Sequence, residues 1–251
     1  MPPVTTAMLA LGIFAVAALY STVGHAGASG YLACMALAGL APGFMKPVAL
    51  TLNVIVACIG AWQFLRAGCF RWRTFWPFAV TSIPFAFFGG KLTLPGDWYH
   101  KVVGAVLVYA AVRLLLNAKS ATSEFRDPPI PAALAIGLLL GFLSGLTGVG
   151  GGIFLSPVLL LLGWAETRTA SGVSVMFILV NSIAGLAGDF FGARKITAVL
   201  ADPVTILIWG ACAAAGGFIG SHYGSRKLPT TVIRRFLAAV VLLAAVKMFK
   251  S

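Results

Sequence analysis

Ser144-Gly145-Leu146-Thr147-Gly148-Val149-Gly150-Gly151-Gly152 interrupts an apolar run that otherwise extends from Gly137 to Gly163. A glycine in place of alanine costs a helix interior about 1 kcal/mol, so the five glycines from Gly145 to Gly152 argue against one continuous helix. The stretch reads as two half-helices meeting at an unwound centre. Its flanks, Gly137 to Leu146 and Ile153 to Leu162, are apolar enough for a bilayer core, which puts the unwound part at membrane depth. Exposed backbone there cannot face lipid. It must be buried in protein or line a wet cavity, and broken helices at midplane are where secondary transporters hold their substrates.

Composition extends this reading to the whole chain. The 251 residues are 60% hydrophobic and 10% charged, with a mean hydropathy of +0.98; soluble domains carry about 25% charged residues. The expected fold class is therefore an all-α polytopic membrane protein. At about 20 residues per crossing the length holds roughly seven to nine spans and no separate soluble domain. No basic segment precedes the first apolar run, Ala7 to Tyr20, which reads as a retained span rather than a cleaved signal. The net charge of +12 does not call for nucleic acid. Basic residues such as Arg66, Arg71, Arg73, Arg234 and Arg235 sit at span ends, where anionic head groups attract them. Cys34, Cys58, Cys69 and Cys212 lack paired spacing, so neither a disulfide framework nor a metal site is expected, and no cofactor is called for.

The order of apolar segments repeats. Residues 1–116 form a first transmembrane repeat, 117–130 a polar linker and 131–251 a second repeat. Ser21-Thr22-Val23-Gly24-His25-Ala26-Gly27-Ala28-Ser29-Gly30 occupies the place of the Ser144 to Gly152 break, and Ala110-Ala111-Val112-Arg113 matches Ala244-Ala245-Val246-Lys247. The expectation is two homologous halves, each with a broken or re-entrant helix. If each broken segment is one crossing, about eight spans result and the halves are parallel; if the breaks are hairpins, the count per half is odd and the halves invert.

A half-helix that starts at a break leaves its first amides without intrahelical partners, and its dipole places partial positive charge there. Gly148, Gly150, Gly151 and Gly152 would let an oxyanion approach the main chain closely, with Gly24, Gly27 and Gly30 in the matching place. Ser21, Thr22, Ser29, Ser144 and Thr147 add hydroxyl donors. The competing reading of the same small residues is tight helix crossing. His25 is the titratable side chain inside a break, able to pair with an anion when protonated or simply to bond a carbonyl. Asn53 and Asn181 follow the breaks and either hold a substrate oxygen or brace the broken helices. Of the six acidic residues, Asp189 alone can enter the membrane, with Arg194 and Lys195 as interfacial partners. His25 and Asp189 are thus the proton-relay candidates. Lys46, Arg66, Lys91 and Arg168 read as span-end residues that snorkel.

Ser144 to Gly152 followed by Phe154-Leu155-Ser156-Pro157, then Ala170-Ser171-Gly172-Val173 and Asn181-Ser182-Ile183-Ala184-Gly185, resembles the TauE/SafE family of sulfite and organosulfonate exporters. Pro47-Val48-Ala49-Leu50 and Trp62-Gln63-Phe64-Leu65-Arg66-Ala67-Gly68 are similar to its first repeat. The break Gly24 to Gly30 departs from the more glycine-rich run expected there. The resemblance implies export of sulfite or an organosulfonate such as sulfoacetate across a bacterial inner membrane. The partners are then a small anionic substrate and membrane lipid, and a homodimer is compatible with this reading. An anion channel is the first alternative, since amides and hydroxyls at midplane suit conduction as well as carriage. A membrane-embedded enzyme is the second, and no span holds the His-x-x-x-His, Glu-x-x-His or paired carboxylates it would need.

Overall fold

A computed structural model describes residues 3–115, 125–192 and 202–225, together with residues 242, 245, 246 and 249. Most of the linker, Arg194, Lys195, Arg234, Arg235 and most of the last expected span lie outside the described residues. Nine helices are described: α1 (Pro3–Ser21), α2 (Ala28–Leu37), α3 (Pro42–Arg66), α4 (Trp72–Lys91), α5 (Gly96–Leu115), α6 (Ile130–Thr147), α7 (Gly152–Leu161), α8 (Thr167–Phe191) and α9 (Pro203–Gly224). No strand occurs among the described residues. Five of the helices, α1, α3, α6, α8 and α9, are long and apolar enough to cross a membrane, and the protein is a multi-pass membrane protein. The short apolar helices α2 and α7, ten residues each, are about half a crossing long.

Helix directions follow from which residues meet. A Cβ on Gly216 would strike the backbone of Phe14, one on Gly220 that of Ala18 and one on Gly224 that of Thr22; the Trp209 indole donates to the Thr6 carbonyl. Thus α1 and α9 run parallel, backbone against backbone. Helices α4 and α6 are zipped in the same way, with Gly137 against Phe78, Gly141 against Ser82 and Gly145 against Ala86. Small residues permit such approach, where dispersion and close packing replace the hydrophobic effect that lipid abolishes. Between the two zipped pairs lie α3 and α8, antiparallel and of equal length, 25 residues each. Lys46 stands beside Asp189, Leu50 beside Gly185, Asn53 against Ser182 and Gly60 beside Val175.

Helix α3 runs with α9, since Ile55 meets Gly210 and Gln63 donates to the Phe218 carbonyl. Helix α8 runs with α4: Phe75 and Phe78 share a core with Ala170, Val173 and Phe177, and Lys91 reaches Gly192. So α1, α3 and α9 point one way and α4, α6 and α8 the other. Helices α1 and α6, which open the two expected repeats, oppose each other, a direction that does not match parallel repeats.

The chain does not run straight through either break. The chain reverses between α1 and α2: Ser29 donates to the Tyr20 hydroxyl at 2.9 Å, Gly30 lies on Val16, and Cys34 Sγ is 3.3 Å from where a Cβ on Gly12 would stand. It reverses again between α6 and α7, because Trp164, just beyond α7, packs on Phe78, which faces Gly137 near the start of α6. The reason is local. Gly24 (φ 73°) and Gly27 (φ 104°) in the first turn, and Gly148 (φ 82°) and Gly151 (φ 79°) in the second, hold left-handed backbone that bends the chain back on itself. Moreover α6 begins at Ile130, not Gly137, so the chain completes about 27 Å of helix before it turns.

Candidate functional site

The first turn is seated on α8 and the second on α3. In the first, Gly24 abuts the Ser171 backbone on α8. In the second, a Cβ on Gly148 would lie 3.2 Å from both Cγ and the carbonyl of Lys46 on α3. From Gly148 the chain climbs inward. A Cβ on Gly150 would come within 2.7 Å of Asn53 Nδ2 and 3.1 Å of Ser182 Oγ, and one on Gly151 would meet Phe177 and, at 3.4 Å, Ser144 Cβ. These neighbours stand about halfway along α3 and α8.

The second turn is rich in polar atoms without partners. Asn53, Ser144, Thr147, Asn181 and Ser182 are all fully buried. Asn53 Nδ2 donates to the Val149 carbonyl and to Ser182 Oγ, both at 3.3 Å, longer than the usual 2.9–3.0 Å. Asn53 Oδ1, Ser144 Oγ and Asn181 Oδ1 have no hydrogen-bond partner. Asn181 Nδ2 is spent on the Phe177 carbonyl of its own helix at 2.9 Å. Helix α7 starts on Gly151 with no side-chain cap, so its first amides and the positive end of its dipole lie at the turn that Asn53 and Ser144 flank.

The first turn is braced differently. The Tyr31 hydroxyl donates to the Ala26 carbonyl, Ser29 donates to Tyr20, and Gly30 packs on Val16 and Tyr20. Helix α2 also lacks a side-chain cap, at Gly27, but tyrosines crowd its start. Ser21 Oγ is buried without a partner. His25 is half-buried, its Nδ1 3.1 Å from the Val23 carbonyl. Its Nε2 lies 3.4 Å from Ser156 Oγ on α7, which is 2.6 Å from Ser174 Oγ on α8. His25 therefore links the first turn to the helix that starts at the second.

Two of the expected hydroxyl donors are committed elsewhere. Thr22, just past α1, donates to the Leu19 carbonyl at 2.6 Å and Thr147 to the Leu143 carbonyl of its own helix at 2.7 Å; neither hydroxyl has a second proton to offer. Ser29, bound to Tyr20, is committed likewise.

Lys46 and Asp189 depart most from the sequence expectation. Lys46 is buried rather than extended to the surface, and the partner that Asp189 meets is Lys46. Their side chains are 7% and 4% exposed, and Lys46 Nζ is 3.5 Å from Asp189 Oδ1. The same ammonium donates to the carbonyls of Gly90 at 2.7 Å and Leu92 at 3.2 Å, at the end of α4 where the dipole is negative. A cavity of about 10 Å³, room for one water, lies beside the pair and is lined also by Thr93, Tyr99 and Leu146. Sequence reasoning missed Lys46, Ser156, Ser174 and Ser182 as site residues. A lysine placed four residues into an apolar helix was the available signal for the first of them.

No cluster of three or more His, Cys, Asp or Glu able to hold a metal occurs among the described residues. The family model of the sulfite exporter TauE/SafE matches residues 8–248. The chain belongs to the TauE/SafE family. A TauE/SafE relative in Sinorhizobium fredii, named "Probable membrane transporter protein y4hK", is 39% identical over 244 residues, 96% of each chain. "Probable membrane transporter protein YjnA" of Bacillus subtilis is 26% identical over 262 residues, 97% of this chain and 99% of its own. A probable membrane transporter protein of Methanocaldococcus jannaschii is 27% identical over 59% of this chain and 57% of its own. No solved structure matches significantly. The membership makes this protein a membrane transporter of the TauE/SafE family rather than an enzyme.

Proposed function

We propose that the protein is a secondary transporter that exports a small sulfur-containing oxyanion, sulfite or an organosulfonate such as sulfoacetate, across a bacterial inner membrane. The anion is held near midplane at the start of α7. The carrying observation is that this uncapped helix begins on Gly151, with buried Ser144 beside it and buried Asn53 beside Gly150, each with a polar atom that no protein group satisfies. Buried polar groups are nearly always paired, so unpaired ones beside a helix start mark the place of a ligand or its water. Ser144 Oγ has a hydrogen to give, and the two long Asn53 bonds are easily exchanged for an oxyanion. His25 supplies a further donor through its contact with Ser156.

The reading includes two homologous, inverted halves. Its support is a constant spacing: α2 and α7 start at residues 28 and 152, α3 and α8 at 42 and 167, offsets of 124 and 125. The paired contacts Gly60 to Val175 and Leu50 to Gly185 exchange under the same offset of 125. Inverted repeats of this kind place substrate at the repeat interface and alternate access by moving helices around it.

Thermal-shift screening of the purified protein against sulfite, sulfoacetate, taurine and sulfate tests the ligand class, with stabilisation by the first two expected. Counterflow in proteoliposomes tests the carrier: saturable exchange is expected, whereas conductance near diffusion rates would establish a channel. His25→Ala and Gly150→Leu should each weaken binding by about tenfold or more; wild-type affinity in both would refute the site.

A further inference from the structure

Lys46 and Asp189 are the charged side chains among the buried residues described, and an anion site made of amides and hydroxyls does not need them. A buried ion pair adds little net stability over apolar residues of similar size. We infer that Lys46 passes the anion between the second turn and the α4 end of the bundle, and that Asp189 takes up one proton as it does so. This inference rests on the anion-export reading.

Geometry shows which ligand of the ammonium is exchangeable. Its bonds to the Gly90 and Leu92 carbonyls are 2.7 and 3.2 Å, whereas Asp189 stands at 3.5 Å, beyond the 2.7–2.9 Å usual for a charge-assisted bond. Asp189 is the loosest of the three. The Lys46 stem lies on Gly148, the residue that closes α6 and opens the second turn. Lysine is a compact charge on a flexible stem, so small rotations carry the ammonium from Asp189 toward the turn without leaving Gly148.

If an anion replaces Asp189 at Lys46, the carboxylate is left buried and unpaired, and a carboxyl in that position neutralises rather than stay charged. The exchange balances: one anionic charge and one proton enter, Lys46 exchanges its carboxylate partner for the anion, and Asp189 becomes a neutral acid. Net charge at the pair is unchanged by the one anionic group that Lys46 takes; the second charge of a dianion such as sulfoacetate stays on its other end. The adjacent cavity, with room for one water, supplies the proton path. Other titratable groups around Asp189 are few. Tyr99 of α5 lines the cavity and His100 follows it; Lys91 at the end of α4 turns its ammonium onto the Phe87 ring, 4.8 Å from the centroid. From α6 only Leu146 lines the cavity. Arg194 and Lys195 follow α8 outside the described residues.

The test counts protons. Purified wild-type protein in weakly buffered detergent at about pH 7, where sulfoacetate is fully ionised, is mixed with sulfoacetate while a pH indicator is read, and binding is measured by calorimetry. About one proton taken up per anion bound is expected. Asp189→Asn should bind without proton uptake and lose the pH dependence of affinity, and Lys46→Gln should bind about tenfold or more weakly. Binding to wild type without proton uptake, or uptake that persists in Asp189→Asn, overturns the inference and leaves the site at the second turn standing. Failure of wild type to bind sulfoacetate, sulfite or taurine overturns both. The wild-type count decides even if a variant does not fold.

Discussion

The two turns share one backbone geometry and differ in what surrounds it. Both place left-handed glycines at corresponding points and both lead into a ten-residue helix without a side-chain cap. At the first, Tyr20 and Tyr31 fill the space and bond Ser29 and the Ala26 carbonyl, with Ser21 Oγ left unbonded. At the second, Asn53, Ser144 and Asn181 leave polar atoms open. One turn is braced by tyrosines, and the other leaves buried polar atoms open where the proposed anion would sit. Similar backbone corners thus need not carry the same chemistry, and side chains decide which of them could serve a ligand.

The largest effects separate the corners by stability. A Cβ on Gly24 meets Ser171 backbone, which cannot yield, whereas one on Gly148 meets the Lys46 side chain and carbonyl at 3.2 Å. Both alanine variants pay the left-handed penalty, but Gly24→Ala adds overpacking, for about 3 kcal/mol or more against about 1–2 for Gly148→Ala. Thermal unfolding in detergent measures the difference; equal losses would mean the turns are seated alike.

Tyr31→Phe comes next. It strips the Ala26 carbonyl of its donor in a buried place, about 1–3 kcal/mol of stability, and should leave anion affinity unchanged. Asn53→Ala makes the opposite prediction: a modest change in unfolding temperature with anion affinity reduced about tenfold. If the two variants exchange these phenotypes, the receptor is at the first turn instead.

The smallest effect concerns capping. Among the helix starts whose caps are described, α9 has a side-chain cap, Asp202, which accepts from the Thr205 N–H at 3.2 Å. Hydrogen bonds from the Thr205 side chain and backbone hold this carboxyl below its ordinary range. A carboxyl with a lowered folded-state pKa contributes stability that is present above its unfolded value, about 4, and is lost as pH falls through the lower folded value. Asp202→Ala should therefore lower the unfolding temperature slightly near neutrality, and the gap from wild type should close under acid. The equivalent test at α7, Gly151→Ser, brings in a capping side chain and strain together and should cost anion affinity as well.

Much of this was legible in the chain. Glycine density located the second turn, the repeated segment order located the first, and the composition fixed the membrane class. Reversal of the chain was not legible, because glycines permit a left-handed turn without stating which way the next helix leaves it. Nor were the bracing roles of Tyr20 and Tyr31: an aromatic residue in an apolar run looks the same whether it faces lipid or fills a corner. That Thr22 and Thr147 bond nearby helix carbonyls was not legible either, since a hydroxyl can turn to a carbonyl three or four residues before it or outward. Lys46 and Asp189 are far apart in sequence and are joined only by the antiparallel register of α3 and α8, a tertiary fact with no local signature.

The glycine zips constrain how such a molecule can move. Each couples a helix from the first half of the chain to one from the second, so the halves are laced through one another. Swinging one half against the other would have to unfasten both seams at once, against backbone contacts that no side chain cushions. Helix α8 is seated on α4 in the same way, Gly188 against Phe87 and Gly90 against Gly185, whereas α3 meets α8 through the side chains of Leu50 and Val175. A disulfide pinning α3 to α8 should therefore arrest transport, while one stitched between α4 and α6 should leave the cycle turning.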